Sequence, residues 1–185
     1  MGLWVDYMLQ GPSIGWLFQN KRLSDYRAFS PSRPDLSQVR ISGIDYHKGD
    51  IQSYMEEDHV LVGNAVDHYK EHALGKLMIV YCSSKKSGEK TAQRFRDAGI
   101  PAMHIDSDTP DDLSREIIMD FALRKIWVLV NVELCVFGFD LSSQVNMEVT
   151  IEAMCDLQPK LSLAQQMQKW GRMLRYKDEP AILFD

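Results

Sequence analysis

From Leu77 onward, short runs of consecutive apolar residues alternate with longer amphipathic segments, and this alternation constrains the fold more than any other feature. The apolar runs occupy residues 77–82, 100–105 and 126–131. The first run has no polar interruption, as is typical of a strand buried on both faces of a parallel sheet, whereas the other two include His104 and Asn131. The segment between the first two runs, residues 86–98, carries apolar residues at helical spacing.

The same pattern continues to the end of the chain. Further strands are predicted at residues 153–157 and 181–184, with a helix at 162–174 between them, and a strand candidate at 26–30 precedes the regular part. Strands that alternate with helices are joined by right-handed crossovers, which place the helices on both faces of the sheet. We therefore predict an α/β fold: an open parallel sheet in a three-layer α/β/α arrangement.

The N-terminal region differs in character from the rest. Residues 1–24 show interrupted helical periodicity, and residues 31–38 are rich in proline and serine, as is typical of a linker or surface arm. We therefore divide the chain into an N-terminal segment and linker, residues 1–38, and a folded domain, residues 39–185.

Composition limits the classes of function. The 185 residues are 45% hydrophobic and 25% charged, which suits one domain with a substantial core. A net charge of −5 argues against coating nucleic acid by bulk attraction. Charge is nevertheless segregated, because residues 76–98 hold six basic residues against two acidic ones. A one-sided partner surface and an ordinary solvated face both explain this pattern.

Neither a membrane-spanning segment nor a metal site formed by this chain's own side chains is expected. No apolar run approaches the roughly 18 residues that span a bilayer, and the N-terminus lacks a basic-then-apolar signal pattern, so we expect a soluble, intracellular (cytoplasmic) protein. Cys82, Cys135 and Cys155 are interpreted as buried free thiols. His68 and His72 lie one helical turn apart, but a solvated helix face explains them better than a metal site.

Ligands of open α/β sheets bind at the carboxyl ends of strands, and three polar segments are predicted there. The first is residues 82–85, and the second runs from residue 131 to residue 140. The third is residues 168–175 on the last helix, where Arg172 and Arg175 stand three positions apart. Two neighbouring guanidinium groups repel each other and favour an anionic partner such as phosphate. Basic residues that stabilise a helix C-terminus are the alternative.

Residues 77–84, 95–108, 128–140 and 163–185 together resemble the C-terminal RecA-like domain of superfamily 2 helicases. The resemblance is strongest to the RadD-like and phage-borne members related to the XPB group. Residues 11–24 also resemble the passage that joins the two motor domains. The resemblance implies a RecA-like sheet with an N-terminal helical arm.

In such motors, ATP and Mg²⁺ lie between two RecA-like domains, and the resemblance implies trans contacts from this one. Arg172 and Arg175 match the arginines that reach the γ-phosphate. The other positions that match nucleotide-facing residues of the family are Gln168, Glu133, Gly138 and Asp140.

A second group of positions matches residues that touch or adjoin the nucleic-acid backbone. They are Ser83, Ser84, Lys85, Asp108, Thr109 and Asn131. Contacts to the backbone position a strand without reading its bases, so we expect sequence-independent binding. The resemblance favours DNA over RNA.

The chain departs from the family pattern at several positions. Val136 and Phe137 stand where Thr and Glu are usual, Gln158 replaces an arginine before Pro159, and Asp156 interrupts an otherwise apolar strand. No Walker A loop or acidic Mg²⁺ box is present. We therefore expect the isolated chain to be inactive and a first, N-terminal RecA-like domain to hold most of the ATP. On this interpretation the chain is an excised domain, a split-gene product or a remnant.

Two alternatives belong to other functional classes. A non-catalytic α/β protein-interaction module derived from a helicase would explain the departures at Val136, Phe137 and Asp156. A small-molecule enzyme on a flavodoxin-like or Rossmann-like sheet is disfavoured, because no Gly-x-Gly-x-x-Gly follows any predicted strand.

Overall fold

The computed structural model describes residues 11–30, 35–43, 45–57, 59–132, 141–159 and 161–185. In chain order, the strands are β1 (Tyr26–Phe29), β2 (Ile41–Ser42), β3 (Asp45–Tyr46), β4 (Met78–Cys82), β5 (Ala102–Ile105), β6 (Val128–Asn131), β7 (Ala153–Leu157) and β8 (Ala181–Phe184). The helices are α1 (Ile14–Gln19), α2 (Lys48–Glu57), α3 (His59–His72), α4 (Lys85–Asp97), α5 (Asp111–Ala122), α6 (Leu141–Val145) and α7 (Leu163–Met173).

Six of these strands form one sheet in the order β1-β8-β7-β4-β6-β5, and every neighbouring pair is parallel. Strands β2 and β3 form a separate antiparallel hairpin. The central strands β4 and β6 are buried at every position, as their apolar runs predict. The predicted open parallel sheet is therefore confirmed.

Helices cover both faces of the sheet, as expected for three layers. On one face, Tyr69 of α3 and Phe95 of α4 pack against β4 and β6. On the other face, Phe121 of α5 and Met173 of α7 pack against the opposite side chains of the same strands. The prediction of buried free thiols is confirmed for Cys82 and Cys155, whereas Cys135 lies outside the described residues.

The N-terminal segment contributes to the sheet. Strand β1 pairs in parallel with β8, so residues assigned to the segment 1–38 supply an edge strand. Helix α1 begins at Ile14 and is capped by the Ser13 side chain, which accepts a hydrogen bond from the Trp16 amide at 3.2 Å. The boundary at residue 38 and the interdomain role of the segment remain predictions.

A buried ion pair connects α7 to the middle of the sheet. The ammonium group of Lys169 donates to both carboxylate oxygens of Asp156, at 3.0 and 2.8 Å, and both side chains are almost fully enclosed. The same ammonium group lies 4.9 Å from the centre of the Tyr81 ring. Burial raises the pKa of the Asp156 carboxyl, and Lys169 acts against that rise. The polar residue that interrupts strand β7 is thus matched by a lysine from α7.

We expect Lys169→Ala to lower the free energy of unfolding by about 3–5 kcal/mol, because Asp156 then stays buried without its cation. The double variant Lys169→Met/Asp156→Leu removes both charges, so its free energy of unfolding should fall much less. Urea denaturation followed by circular dichroism measures both changes. Lys125→Ala breaks an exposed pair with Asp120 and serves as the control, with an expected loss below about 1 kcal/mol. A Lys169→Ala variant as stable as this control would contradict an anchoring role.

Candidate functional site

The loop after β4 presents two serines whose side chains stabilise the loop itself. The Ser83 hydroxyl donates to the Leu157 carbonyl at 3.2 Å, which connects this loop to the end of β7. The Ser84 hydroxyl caps α4 by accepting from the Ser87 amide at 3.1 Å. Both serines are buried, so the exposed groups of this loop are the following residues, Lys85 and Lys86.

The loops after β4 and β5 meet at the same edge of the sheet, as the sequence predicts. Lys85 forms an ion pair with Asp108. The hydrogen bond between the two side chains raises the pKa of Lys85. The Thr109 hydroxyl accepts from the Asp106 amide at 3.0 Å and thereby shapes the second loop. The structure therefore brings together Lys85, Asp108 and Thr109, three of the residues predicted to lie near a nucleic-acid backbone.

Asn131 lies at the end of β6, between these loops, but its side chain is fully buried. Its amide nitrogen donates to the Val80 carbonyl at 3.0 Å and so connects β6 to β4. This placement does not support direct contact between Asn131 and a strand at the surface. Three further predicted residues, Glu133, Gly138 and Asp140, lie outside the described part of the chain.

The predicted arginine pair lies only partly on α7. Gln168 is exposed and Arg172 is half-buried, one turn further along the same helix. The helix ends at Met173, so Arg175 lies beyond it in an isolated bridge with Leu23. The interpretation of Arg172 and Arg175 as neighbours on one helix face is therefore wrong. Beyond the helix, the chain pairs with residues that precede β1.

The placement of this third polar segment at the carboxyl edge is also wrong. The Leu174 carbonyl accepts from the Ser24 amide at 3.0 Å, and the Arg175 carbonyl accepts from the Ser24 hydroxyl at 3.1 Å. Ser24 lies two residues before the start of β1, so this contact lies at the amino edge of the sheet. The reason is geometric: a crossover helix runs antiparallel to its strands, so its last residues reach the opposite edge.

Residues 168–175, which we call the arginine segment, thus lie against the passage predicted to join two motor domains. Beside this contact, Ile14, Trp16 and Tyr26 are each about half exposed. Phe18 and Trp170 line a small apolar hollow of about 90 Å³ between α1 and α7. Ile14 and Tyr26 line the same hollow, and large apolar side chains exposed next to one another are typical of a surface that meets a partner.

His104, near the carboxyl end of β5, is a residue of the carboxyl edge that the sequence pattern did not indicate. Its Nε2 atom is buried and has no hydrogen-bond partner among the described residues, and the nearest carboxylate, Asp106, is 3.8 Å away. Burial lowers the pKa of this histidine. It faces Gly88 of α4 at very short range, because a methyl group at Gly88 would stand 2.6 Å from Nε2. No local pattern in the sequence signals this long-range contact.

One cluster of possible metal ligands occurs in the described part of the chain. The ligand atoms of His68, Glu71 and His72 lie within 4.8 Å of one another. The His72 ring, however, stacks on Phe29 with 4.1 Å between ring centroids, and it also faces Phe184. Packing against the ends of β1 and β8 accounts for this histidine, and the expectation that no metal binds remains a prediction.

Comparison with known proteins identifies the family. Residues 61–177 match the helicase conserved C-terminal domain. The chain belongs to this family.

A relative of this helicase C-terminal domain is a 51.5 kDa protein of a Lactococcus phage (isolate 7-9). The two are 34% identical over 181 residues, a match that covers 97% of this chain and 38% of the relative. The chain therefore spans well under half of the length of that protein.

Solved structures show the same fold. A DEAD box protein from the hyperthermophile Methanococcus jannaschii matches with a TM-score of 0.56 and 18% identity, over 67% of this chain and 31% of that chain. The C-terminal domain of the DEAD-box protein Dbp5 matches with a TM-score of 0.55 and 17% identity, over 70% of this chain and 72% of that chain. These likenesses confirm the RecA-like sheet. No helix in the described ranges is long and apolar enough to cross a bilayer.

Two helical glycines give opposite predictions for the stability of this helicase domain. Gly88→Ala should lower the free energy of unfolding by about 1–3 kcal/mol, because the new methyl group forces the buried His104 ring to move. Gly171→Ala meets no atom within 4 Å, so higher helix propensity should stabilise the domain by up to about 1 kcal/mol. Chemical denaturation measures the free energy of unfolding of both variants. Equal changes in the two variants would contradict the close contact at Gly88.

Proposed function

We propose that this chain is the C-terminal motor half of an ATP-dependent helicase or translocase. In this proposal, Arg172 and Arg175 contact the γ-phosphate of ATP, and a first RecA-like domain holds most of the ATP and the Mg²⁺. The observation that carries the proposal is the contact of Leu23 and Ser24 with the arginine segment. If residues 11–24 lead from the other motor domain, that domain lies on the side of the molecule where the arginines are.

The chemistry of the arginine segment fits a triphosphate. Arg175 is exposed and Arg172 is half-buried, so both are accessible to a ligand from outside the chain. Guanidinium groups present fixed, forked donors that match phosphate oxygens, and they stabilise the charge that develops during phosphoryl transfer. Gln168 is exposed one turn before Arg172 and completes the nucleotide-facing surface on α7. Glu133, Gly138 and Asp140, which lie outside the described residues, are proposed to add further nucleotide contacts.

The opposite edge of the sheet is proposed to contact the nucleic-acid backbone. Lys85, Lys86 and Thr109 are accessible there, and the buried serines Ser83 and Ser84 shape the loop that presents the lysines. Charged and hydroxyl groups without base-reading geometry imply sequence-independent binding. The family resemblance alone favours DNA as the strand. The end of the arginine segment and the proposed nucleic-acid surface would thus lie at opposite edges of one sheet, with α7 and β7 between them.

The isolated chain is expected to show negligible ATP turnover, because it has no Walker A loop to hold the phosphates. Addition of a first RecA-like domain with a Walker A loop should restore hydrolysis that nucleic acid stimulates. A coupled assay of ADP release measures both states. Robust turnover by the purified isolated chain would contradict the division into two motor halves.

Binding of a fluorescent single strand tests the proposed nucleic-acid surface. The affinity should fall with salt at a log–log slope of about −0.7 per phosphate contact and should vary little with base sequence. The double variant Lys85→Ala/Lys86→Ala should make this slope shallower. Lys125→Ala removes a charge near the amino end of β6 and is the matched control. If the Lys85→Ala/Lys86→Ala variant and the Lys125→Ala control change the salt slope equally, the strand does not bind at Lys85 and Lys86.

A non-catalytic interaction module is the second candidate. The half-exposed apolar residues Ile14, Trp16 and Tyr26 favour it, since they suit a protein partner of any kind. This alternative predicts a tight protein complex whose formation produces no nucleic-acid-stimulated ATP hydrolysis.

A further inference from the structure

A small pocket lies at the carboxyl ends of the adjacent strands β4 and β7. Its volume is about 90 Å³, and its walls include Ser83, which follows β4, and Gln158, which follows β7. The helix after β4 packs on one face of the sheet and the helix after β7 packs on the other. Loops that diverge in this way open a crevice between neighbouring strands, which is the usual ligand position in open α/β sheets.

The pocket is closed by a part of the chain that lies outside the family match. Asp45, Tyr46 and Lys48 supply the outer wall, whereas the helicase domain match begins at residue 61. This wall is fixed from both sides. Gln52 of α2 donates to the Ser83 carbonyl at 2.9 Å, and the Asp45 carboxylate accepts from the Leu161 amide at 2.9 Å. The hairpin β2–β3 and α2 therefore form a specific cover over a sheet edge.

One residue that lines the pocket carries a buried side-chain polar atom without a partner among the described residues. Gln158 is only 6% exposed, and its side-chain oxygen has no hydrogen-bond partner among the described residues. A buried amide oxygen without a donor costs free energy, so such an atom calls for a ligand or water that donates a hydrogen bond. The chain has this acceptor at the position where the family pattern has an arginine.

The remaining walls narrow the class of ligand. Asp45 and Lys48 contribute one charge of each sign, and Gln158 offers an acceptor, so the interior does not suit a phosphate group. The volume is far below the roughly 300 Å³ of common small-molecule sites, so only one ring of a larger ligand can enter. Tyr46 offers an aromatic side chain on which a flat ring can stack. A neutral ring that carries a hydrogen-bond donor meets all three conditions.

We propose that this pocket receives one unpaired base of the bound strand, whose amino or imino group donates to the Gln158 side-chain oxygen. The inference rests on the proposed function, because a strand that crosses Lys85 and Lys86 passes the mouth of the pocket beside Ser83. It adds a contact to a base to binding that is otherwise limited to the backbone. Gln158 and Tyr46 are binding residues in this arrangement.

The test uses the full chain, an oligodeoxycytidylate strand and a strand of equal length without bases. With ¹⁵N-labelled protein, the cytosine strand should shift the NMR signals of the Gln158 side-chain amide and of Tyr46, and the abasic strand should not. Gln158→Met should weaken binding of the cytosine strand by about three- to ten-fold, the value of one hydrogen bond, and leave binding of the abasic strand unchanged. Gln93→Met, on the exposed side of α4, should change neither affinity.

The outcomes separate the two proposals. If both strands shift the NMR signals of Lys85 and Lys86 but not those of Gln158 and Tyr46, the proposed base pocket is contradicted. The proposed nucleic-acid surface is then supported. If neither strand shifts any residue at this edge, both proposals fail. Equal weakening of both strands by Gln158→Met would show that the side chain supports the loop rather than a base. The spectrum of each variant shows whether it is folded.

Discussion

The charge pair between Asp156 and Lys169 is the interaction on which the arrangement of the last helix depends. A lysine that is fully enclosed needs its counter-ion at hydrogen-bonding distance, and only one rotation of α7 brings Lys169 to the carboxylate in β7. With Lys169 turned toward the sheet, the side chain of Gln168 is exposed and that of Arg172 is half-exposed. The buried pair thereby orients the surface that is proposed to meet ATP.

The sheet also separates the end of the arginine segment from the proposed nucleic-acid surface. Loops after β4 and β5 gather Lys85, Asp108 and Thr109 at the carboxyl edge, whereas the arginine segment ends beside Ser24 at the amino edge. Strand β7 takes part in both surfaces, because Gln158 follows its end and Asp156 holds the helix that carries Arg172.

Local pattern predicted the regular part of this fold well. Continuous apolar runs have few alternatives to buried strands, so β7 and β8 occur at the predicted residues and β4 and β6 differ only at their first residues. The cover formed by β2, β3 and α2 was not predicted, because its strands have two residues each and its stability comes from distant contacts such as Gln52 with Ser83.

The candidate site was harder to predict than the fold. Residue type identified Arg172 and Arg175, but not that Arg175 leaves the helix to pair with Leu23, about 150 positions away in sequence. Asn131 and Asp156 illustrate the same limit. Sequence shows a polar residue in or beside a strand, whereas only the fold shows that one donates to Val80 and the other binds Lys169.

The role of the arginine segment can be tested by ATP turnover in a motor reconstituted from this chain and a first RecA-like domain. Replacement of Arg172 or Arg175 by alanine should lower the rate by about 10³-fold or more while nucleic-acid binding persists. Arg115→Ala, at an exposed position on α5, should leave turnover unchanged. Turnover that survives in both arginine variants at the level of the Arg115→Ala control would contradict the proposal that this chain supplies arginines to ATP.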